Sequence, residues 1–286
     1  MYSISRGSID LSSNKLTNID ETAFHSLKSL KLLDLSNNFL KKVSIKLPDS
    51  LELLVMANNA LSVWPLANTP KNLTELELQD NKIEDIFPHD EEVNNLKLMN
   101  LSSNHIEVLP NTLFAKLEIL DLGRNFLTAV PQNMIMRTPF LRDLILDGNR
   151  IETIEFVDKI TLASLSLSNM PDLQQIDAKS FSNVEGIKVR NDGSGTCFDL
   201  TISHNLKLYT INENAFAGIN ICRLDLSFNQ LTIIPQNLTD WKTLEDGIDL
   251  QGNPISCSCD AQWMLDIILN QLYQNEKHQY LLANLK

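Results

Sequence analysis

The chain has 286 residues, 43% of them hydrophobic, and carries a formal net charge of −12 at pH 7. This negative balance disfavours nucleic acid and anionic lipid as partners and favours basic ones. No run of about 18 apolar residues occurs, so the sequence predicts no transmembrane helix.

One pattern of leucines and an asparagine repeats from the N-terminus onward. It is complete as LKLLDLSNNFL at residues 30–40, and it returns as LTELELQDNKI from Leu73 and as LEILDLGRNFL from Leu117. A period of roughly 20 to 29 residues with the form LxxLxLxxNxL is the signature of leucine-rich repeats. The asparagine of the pattern stands at positions 14, 38, 59, 81, 104, 125 and 149, and again at 205, 229 and 253.

The pattern assigns a structural role to each of its positions. LxL predicts a short strand whose alternate side chains point inward, and the asparagine amide can satisfy backbone groups where the chain turns away. One coil cannot bury its own apolar face, so neighbouring coils must stack. We therefore predict an α/β solenoid, a leucine-rich repeat horseshoe with short parallel strands on its concave face and irregular or short helical segments on its convex face.

The repeats suggest one elongated domain, although length alone would suggest about two globular ones. Residues 1–253 are predicted to form about 11 coils, and residues 254–286 to form an incomplete cysteine-rich C-terminal cap. The rhythm is irregular at 168–200, where two strand-like pieces, 187–189 and 200–202, lie too close together for a full coil between them. Either one piece is a loop with its turn at 192–195, or residues are missing.

The residues after the strands indicate a subclass of this fold. Phe24, Phe114, Phe181 and Phe216 follow the asparagines at similar distances and are predicted to stack as a spine along the convex side. Residues 253–268, NPISCSCDAQWMLDII, have the form NPxxCxC followed by a tryptophan. On these motifs the chain resembles extracellular leucine-rich repeat proteins: chaoptin-like and Toll-type ectodomains, and the acid-labile-subunit and chondroadherin-like group.

The resemblance implies a pairing for the cysteines of the cap. In this family Cys257 and Cys259 would each form a disulfide with a cysteine further downstream, and no cysteine follows Cys259 in this chain. The start also lacks the charged and apolar regions of a secretory signal. We therefore expect a fragment of a longer secreted or membrane-anchored protein, in which any contact with a membrane would come from a segment outside this chain.

Cys197 and Cys222 lie 25 residues apart, roughly one coil, and could face each other on neighbouring turns. A disulfide and a pair of buried free thiols are both compatible with this spacing.

The candidate binding site is the concave face. The exposed residues of the strands are rich in carboxylates, and concave faces are where solenoids usually bind. A protein ligand of basic character is the partner that this charge favours, although an acidic surface also serves solubility alone. The predicted partner-binding residues are Asp34, Glu52, Glu75, Glu77, Asp80 and Asp121.

Three Asn-x-Ser/Thr sequons begin at Asn72, Asn100 and Asn237. Such sites are glycosylated only in the secretory pathway and where the asparagine is exposed. Asn237 is predicted to lie on a descending loop and is the best candidate. Asn100 would project from the concave strand, where a glycan would obstruct the centre of the face.

The sequence offers no catalytic, metal or cofactor motif. Its five histidines are scattered over the coils, and no phosphate-binding loop or nucleophile motif occurs. The prediction is therefore a non-enzymatic, extracellular protein-recognition module: a receptor or adhesion ectodomain, or a secreted binder. The alternative is an intracellular leucine-rich repeat scaffold or adaptor.

Overall fold

The computed structural model describes residues 3–5, 7–86, 92–191, 193–241, 244–256, 262–264 and 266. The chain divides into two compact units, Met1–Asn149 and Arg150–Lys286, which we call unit 1 and unit 2.

Unit 1 is built on a parallel sheet with one short strand from each coil. Along this sheet the order is β2-β3-β4-β5-β7-β9-β10, β1 pairs antiparallel with β2, and β6 pairs with β8. The elements are β1 Ser3–Ser5, β2 Ser8–Asp10, β3 Leu32–Asp34, β4 Leu53–Val55, β5 Glu75–Glu77, β6 Glu92–Val93, β7 Leu98–Asn100, β8 Leu113–Phe114, β9 Ile119–Asp121, α1 Gln132–Ile135 and β10 Asp143–Ile145.

Buried and half-buried side chains alternate along each strand of the sheet. In β3 the central Leu33 is fully buried, whereas its neighbours Leu32 and Asp34 are only half-buried. Successive side chains of a strand point to opposite faces, so each coil buries its middle residue and presents the two beside it. The leucine that follows the strand, Leu35 in this coil, is also fully buried.

The repeated asparagine closes each coil onto the next. Asn38 donates from Nδ2 to the carbonyls of Leu11, Leu35 and Ser36, each at 3.0 Å, and its Oδ1 accepts from the Leu16 amide at 3.0 Å. Asn38 is buried, and without it the Leu16 amide would lack a partner among the described residues, whereas the three carbonyls also accept from other donors. The residue before the asparagine adopts a left-handed backbone in coil after coil: Ser13, Asn37, Asn58, Asp80, Ser103 and Arg124.

Unit 2 repeats the same architecture with one insertion. Its main sheet has the order β12-β16-β18-β19, and two small parallel pairs, β11-β14 and β13-β17, lie apart from it. The elements are β11 Ile160–Leu162, β12 Ser164–Ser166, β13 Gln175–Ile176, β14 Val184–Gly186, β15 Lys188–Val189, β16 Thr196–Thr201, β17 Thr210–Ile211, β18 Ile221–Asp225, β19 Gly247–Asp249 and α2 Gln262–Met264.

The irregular stretch is a β-hairpin inside one long coil. Strand β12 pairs directly with β16, so Ser164 lies beside Asp199 with no coil between them. Lys188 and Val189 in β15 run antiparallel to the start of β16, and the Arg190 amide donates to the Gly195 carbonyl at 3.0 Å. The first of the two strand-like pieces thus belongs to a hairpin, and the backbone bonds of Arg190 with Gly193 and Gly195 form its turn; Asp192 of the predicted turn lies outside the described residues.

A disulfide and a buried ion pair hold this hairpin in place. Cys197 in β16 is bonded to Cys222 in β18, with their Cα atoms 5.3 Å apart, which decides between the two states left open by the sequence. Arg190 and Glu245 are both largely buried and form an ion pair with Nε and Oε1 3.2 Å apart. The hairpin is thereby fixed to the coil that precedes β19.

Phenylalanines stack in unit 2 as the sequence predicted. The Phe181 and Phe216 rings lie 5.4 Å apart, and Phe156, which the spacing argument missed, continues the row at 6.1 Å from Phe181. Phe24 and Phe114 are buried in unit 1.

Only part of the predicted cap falls within the described residues. Trp263 is 9% exposed and its ring lies 5.0 Å from that of Trp241, so it packs on the last coil. Cys257 and Cys259 lie outside the described residues.

The fold-class prediction is confirmed: the chain is a parallel-strand solenoid. The described part of the chain contains little helix: its α-helical elements are α1 and α2 alone.

Candidate functional site

The outward-facing residues of the main strands of unit 1 form one continuous surface, which we call the strand face. The register of the sheet aligns them in two columns, with neighbouring strands about 4.8 Å apart. The first column runs through Asp34, Val55, Glu77, Asn100, Asp121 and Ile145.

The second column is mainly apolar. Leu32, Leu53, Leu98 and Ile119 lie side by side along the sheet, interrupted at β5 by Glu75. These four apolar side chains are only half-buried, since the interior is filled by the central residues of the strands. Beside LxL, only charged residues such as Glu75 were assigned to the concave face from the sequence, and these apolar ones were not.

Two of the predicted acids also have a structural role. Oδ1 of Asp34 accepts a hydrogen bond from the Ser36 amide at 2.8 Å, and Oδ1 of Asp121 accepts one from the Gly123 amide at 2.8 Å. Each carboxylate therefore satisfies the second amide after it, where the strand ends. The frequency of aspartate at this position of the repeat follows in part from this turn.

The remaining predicted acids differ in how available they are. Glu52 forms an ion pair with Lys31 at 2.8 Å, so its charge is already compensated. Asp80 is exposed in the left-handed turn after β5, with φ at 56°. Glu75 is exposed and Glu77 half-buried on β5 itself. The structure thus brings Glu75 and Glu77 together on the strand face and leaves Asp80 at its edge.

The electrostatic environment of Glu77 reflects this crowding of negative charge. Burial is the main cause that raises the pKa of Glu77, and the charges of Glu75 and Asp121 raise it further. Hydrogen bonds from Asn100 and Gln79 act in the opposite direction. For Asp121, burial again comes first in raising the pKa, against the lowering effect of the Gly123 amide.

Asn100 occupies the rung between these two carboxylates. Its Oδ1 accepts from the Ser102 amide at 3.1 Å and from the Ser102 hydroxyl at 2.8 Å, the same turn that aspartate makes in other coils. Its side chain is also hydrogen-bonded to Glu77. Both ends of the amide are therefore engaged, whereas the sequon asparagines Asn72 and Asn237 are exposed.

Among the residues that the structure describes, one group of residue types that can bind a metal ion lies close together: Asp199, Cys222 and Asp246. Cys222 has no thiolate to offer, because its sulfur is in the disulfide with Cys197. Lys188 already neutralises the two carboxylates, with Nζ 2.6 Å from Asp199 and 3.7 Å from Asp246. The chemistry of this cluster is that of an ion-pair network.

The asparagine ladder and the strand face define the chain as a leucine-rich repeat solenoid. Family models described as leucine rich repeat match residues 7–61, 94–151 and 220–241. Tsukushi from Gallus gallus is 30% identical over 272 residues, which cover 87% of this chain and 68% of that protein. The chain belongs to the extracellular leucine-rich repeat family, as its Phe spine and CxC motif predicted, and it is an extracellular or cell-surface protein.

Other relatives match over a smaller share of their own length. Podocan from Mus musculus is 32% identical over 273 residues, covering 86% of this chain and 44% of podocan. Keratocan from Mus musculus is 35% identical over 150 residues, covering 50% of this chain and 43% of keratocan. The chain therefore spans less than half the length of these two relatives.

Solved structures show the same fold. One is from an octameric complex of Latrophilin 3, Unc5D and the leucine-rich repeats of FLRT2, with a TM-score of 0.61 at 21% identity, covering 97% of this chain and 90% of that one. Another is from the Toll–Spatzle complex of Drosophila, with a TM-score of 0.59 at 20% identity, covering 86% of this chain and 35% of that one. Within the described residues, no helix has the length and apolar character needed to cross a membrane.

Proposed function

We propose that this protein is an extracellular recognition module that binds a protein ligand on the strand face of unit 1. The observation that carries this proposal is the surface itself: half-buried aliphatic side chains lie beside the carboxylates of Glu75 and Glu77 on a hydrogen-bonded sheet. Such a surface is already ordered before binding, so little conformational entropy is lost when a ligand docks.

The charge of the strand face favours a basic ligand. Of the six predicted binding acids, Glu75, Glu77 and Asp80 come from one coil. Asp34 and Asp121 contribute to the field around them, whereas the charge of Glu52 is compensated by Lys31. Within the described residues, no cation lies at ion-pair distance from Glu75 or Glu77. A cationic group of the ligand would therefore meet uncompensated charge, which accelerates association and makes it sensitive to salt.

The relatives and structural neighbours support the class of function. FLRT2 and Toll are each found in complexes with other proteins. Family membership and the Cys197–Cys222 disulfide favour an extracellular module over the intracellular scaffold. Receptor ectodomain, adhesion protein and secreted binder all remain within this proposal.

The test is a binding screen followed by charge reversal. The 286-residue chain, secreted from cultured cells, is screened against an array of secreted and cell-surface ectodomains. Each binder is then measured against a variant with Glu75→Lys, Glu77→Lys and Asp80→Lys. The matched control reverses three exposed acids of the loops that follow the asparagines, Glu84, Asp85 and Glu107.

The two variants change the net charge equally, so a difference between them reports position. We expect the strand-face variant to weaken binding by about tenfold or more and the control to retain it. Unchanged affinity for the strand-face variant together with reduced affinity for the control would show that recognition uses another surface.

A further inference from the structure

We propose that the strand face binds a helical segment of its ligand, in which one Lys or Arg is flanked by an apolar side chain one turn away on each side. This inference rests on the proposed function and specifies the chemistry of the partner. It follows from the order of side chains across three neighbouring strands, β4, β5 and β7.

The first observation is an apolar surface with no role in the interior. Leu53 and Val55 on β4 and Leu98 on β7 face outward, while Leu54 and Met99 between them are fully buried and fill the core. Aliphatic side chains grouped on an exposed sheet face leave apolar area in contact with water, which a partner can cover.

The second observation is the charge between these apolar groups. The register places Glu75 directly between Leu53 and Leu98, and Glu77 between Val55 and Asn100. Just before the neighbouring strands, acids are compensated by lysines of the adjacent coil, through Lys31–Glu52 at 2.8 Å and Lys97–Glu118 at 3.3 Å.

The coil of β5 differs from these neighbours. Its residue at the corresponding position is Thr74, whose hydroxyl donates to the Glu52 carbonyl at 3.0 Å. Glu75 itself lies one position further along the strand and forms no ion pair with a lysine or arginine of the described residues. In the column of Leu53, Glu75 and Leu98 the surface consequently presents an apolar, an anionic and again an apolar side chain in successive rungs, complementary to apolar, cationic and apolar side chains of a ligand.

The spacing of these three side chains fits a helix better than a strand. Successive rungs are about 4.8 Å apart, and one turn of an α-helix advances about 5.4 Å. A helix that crosses the strands would place residues i, i+4 and i+7 over β4, β5 and β7. The helix rises about 10.5 Å from i to i+7, and the distance from β4 to β7 is about 9.6 Å. An extended ligand would present side chains of one face about every 6.6 to 6.8 Å. With its first side chain over β4, its third would lie beyond β7.

The test uses a synthetic helical peptide as the probe. An alanine-rich host carries Leu, Arg and Leu at positions i, i+4 and i+7, and its binding to the full chain is measured by fluorescence anisotropy at low and high salt. A scrambled peptide has the same composition with the three side chains on different faces. A third peptide carries Glu in place of Arg.

Three protein variants test which side chains of the strand face contact the peptide. We expect Leu98→Gln to weaken the Leu-Arg-Leu peptide about tenfold without changing its salt dependence, since the loss is apolar burial. Glu75→Gln should weaken it about threefold or more and reduce the salt dependence. Val108→Gln is the control, because Val108 is 72% exposed outside the strands. Thermal melting curves confirm that each variant is folded.

Equal binding of the scrambled peptide, or unchanged affinity in Leu98→Gln, would overturn this inference. The outcome is separable from that of the proposed function. If an ectodomain from the screen depends on Glu75, Glu77 and Asp80 but not on Leu98, the strand face is the binding site and the helical ligand is wrong.

Discussion

The asparagine ladder yields the most quantitative prediction, because the structure shows every bond that one side chain makes. Asn104 is 3% exposed. Its Nδ2 donates to the carbonyls of Leu78 and Leu101 at 3.0 Å and of Ser102 at 3.2 Å, and its Oδ1 accepts from the Ile83 amide at 2.9 Å. Substitution by alanine removes all of these bonds. The three carbonyls keep other donors, whereas the buried Ile83 amide loses the partner that the structure gives it.

The magnitude follows from that environment. A neutral hydrogen bond contributes about 1 kcal/mol net, and a buried group left without a partner costs somewhat more. Asn104→Ala should therefore destabilise unit 1 by about 3 to 4 kcal/mol. Asn14 is the matched control: it is half-buried, and among the described residues it donates to Leu11 and Ser12 alone. Asn14→Ala should cost about 1 kcal/mol or less, since water can replace its bonds.

Hydrogen exchange is the appropriate assay, because a repeat protein does not always unfold in one step. The Ile83 amide should exchange faster in Asn104→Ala and keep its rate in Asn14→Ala. Asn104→Asp retains an acceptor for Ile83 but cannot donate, so it should be at least as destabilising as alanine. Equal stability of Asn104→Ala and Asn14→Ala would refute the role assigned to the ladder.

Three further predictions concern unit 2, the sequons and the strand face. Cys197→Ser should lower the stability of unit 2 by about 2 to 4 kcal/mol and leave hydrogen exchange in unit 1 unchanged. Exchange rates equal to those of the wild type in both units would contradict this. In protein from secreting cells, mass spectrometry should find glycans on Asn72 and Asn237 and none on Asn100, whose amide is engaged on both sides; an occupied Asn100 would disprove this. Because burial raises the pKa of Glu77, its contribution to stability is present below pH 4.5 and is lost as the pH rises through the raised value. Glu77→Gln should therefore melt at or above the wild-type temperature at pH 7, and this difference should shrink as the pH falls towards 4.5; the opposite trend would contradict the burial argument.

The regular coils could be predicted because each repeat position is decided by local chemistry. The spacing of the asparagines located the ladder, and LxL located the strands, since period-two alternation and amide satisfaction are visible in the sequence. The apolar column was equally visible: Leu32 shares the outward face with Asp34, two residues on. It was missed because only the charged residues beside LxL, such as Glu75, were assigned to the binding face.

The insertion in unit 2 could not be predicted in the same way, because it depends on contacts between distant residues. The ion pair of Arg190 with Glu245 and the bond of Cys197 to Cys222 hold the hairpin against other coils. Gly186 is required there, since a Cβ atom would lie 2.0 Å from the backbone of Cys197. None of these contacts has a signal in the local repeat pattern.

The availability of each acid was also beyond the sequence. The sequence does not show that Lys31 compensates Glu52 at 2.8 Å, nor that Glu75, one position further along its strand, forms no ion pair with any cation of the described residues. Such differences arise between coils, about one repeat apart, and only the register of the sheet reveals them.

The most direct test of the central claim is a hydrogen-exchange footprint of the full chain with an ectodomain that binds it. If the strand face is the recognition surface, protection on binding will centre on residues 53–55, 75–77 and 98–100. Protection confined to the segments between the strands, with these residues unchanged, would contradict the account.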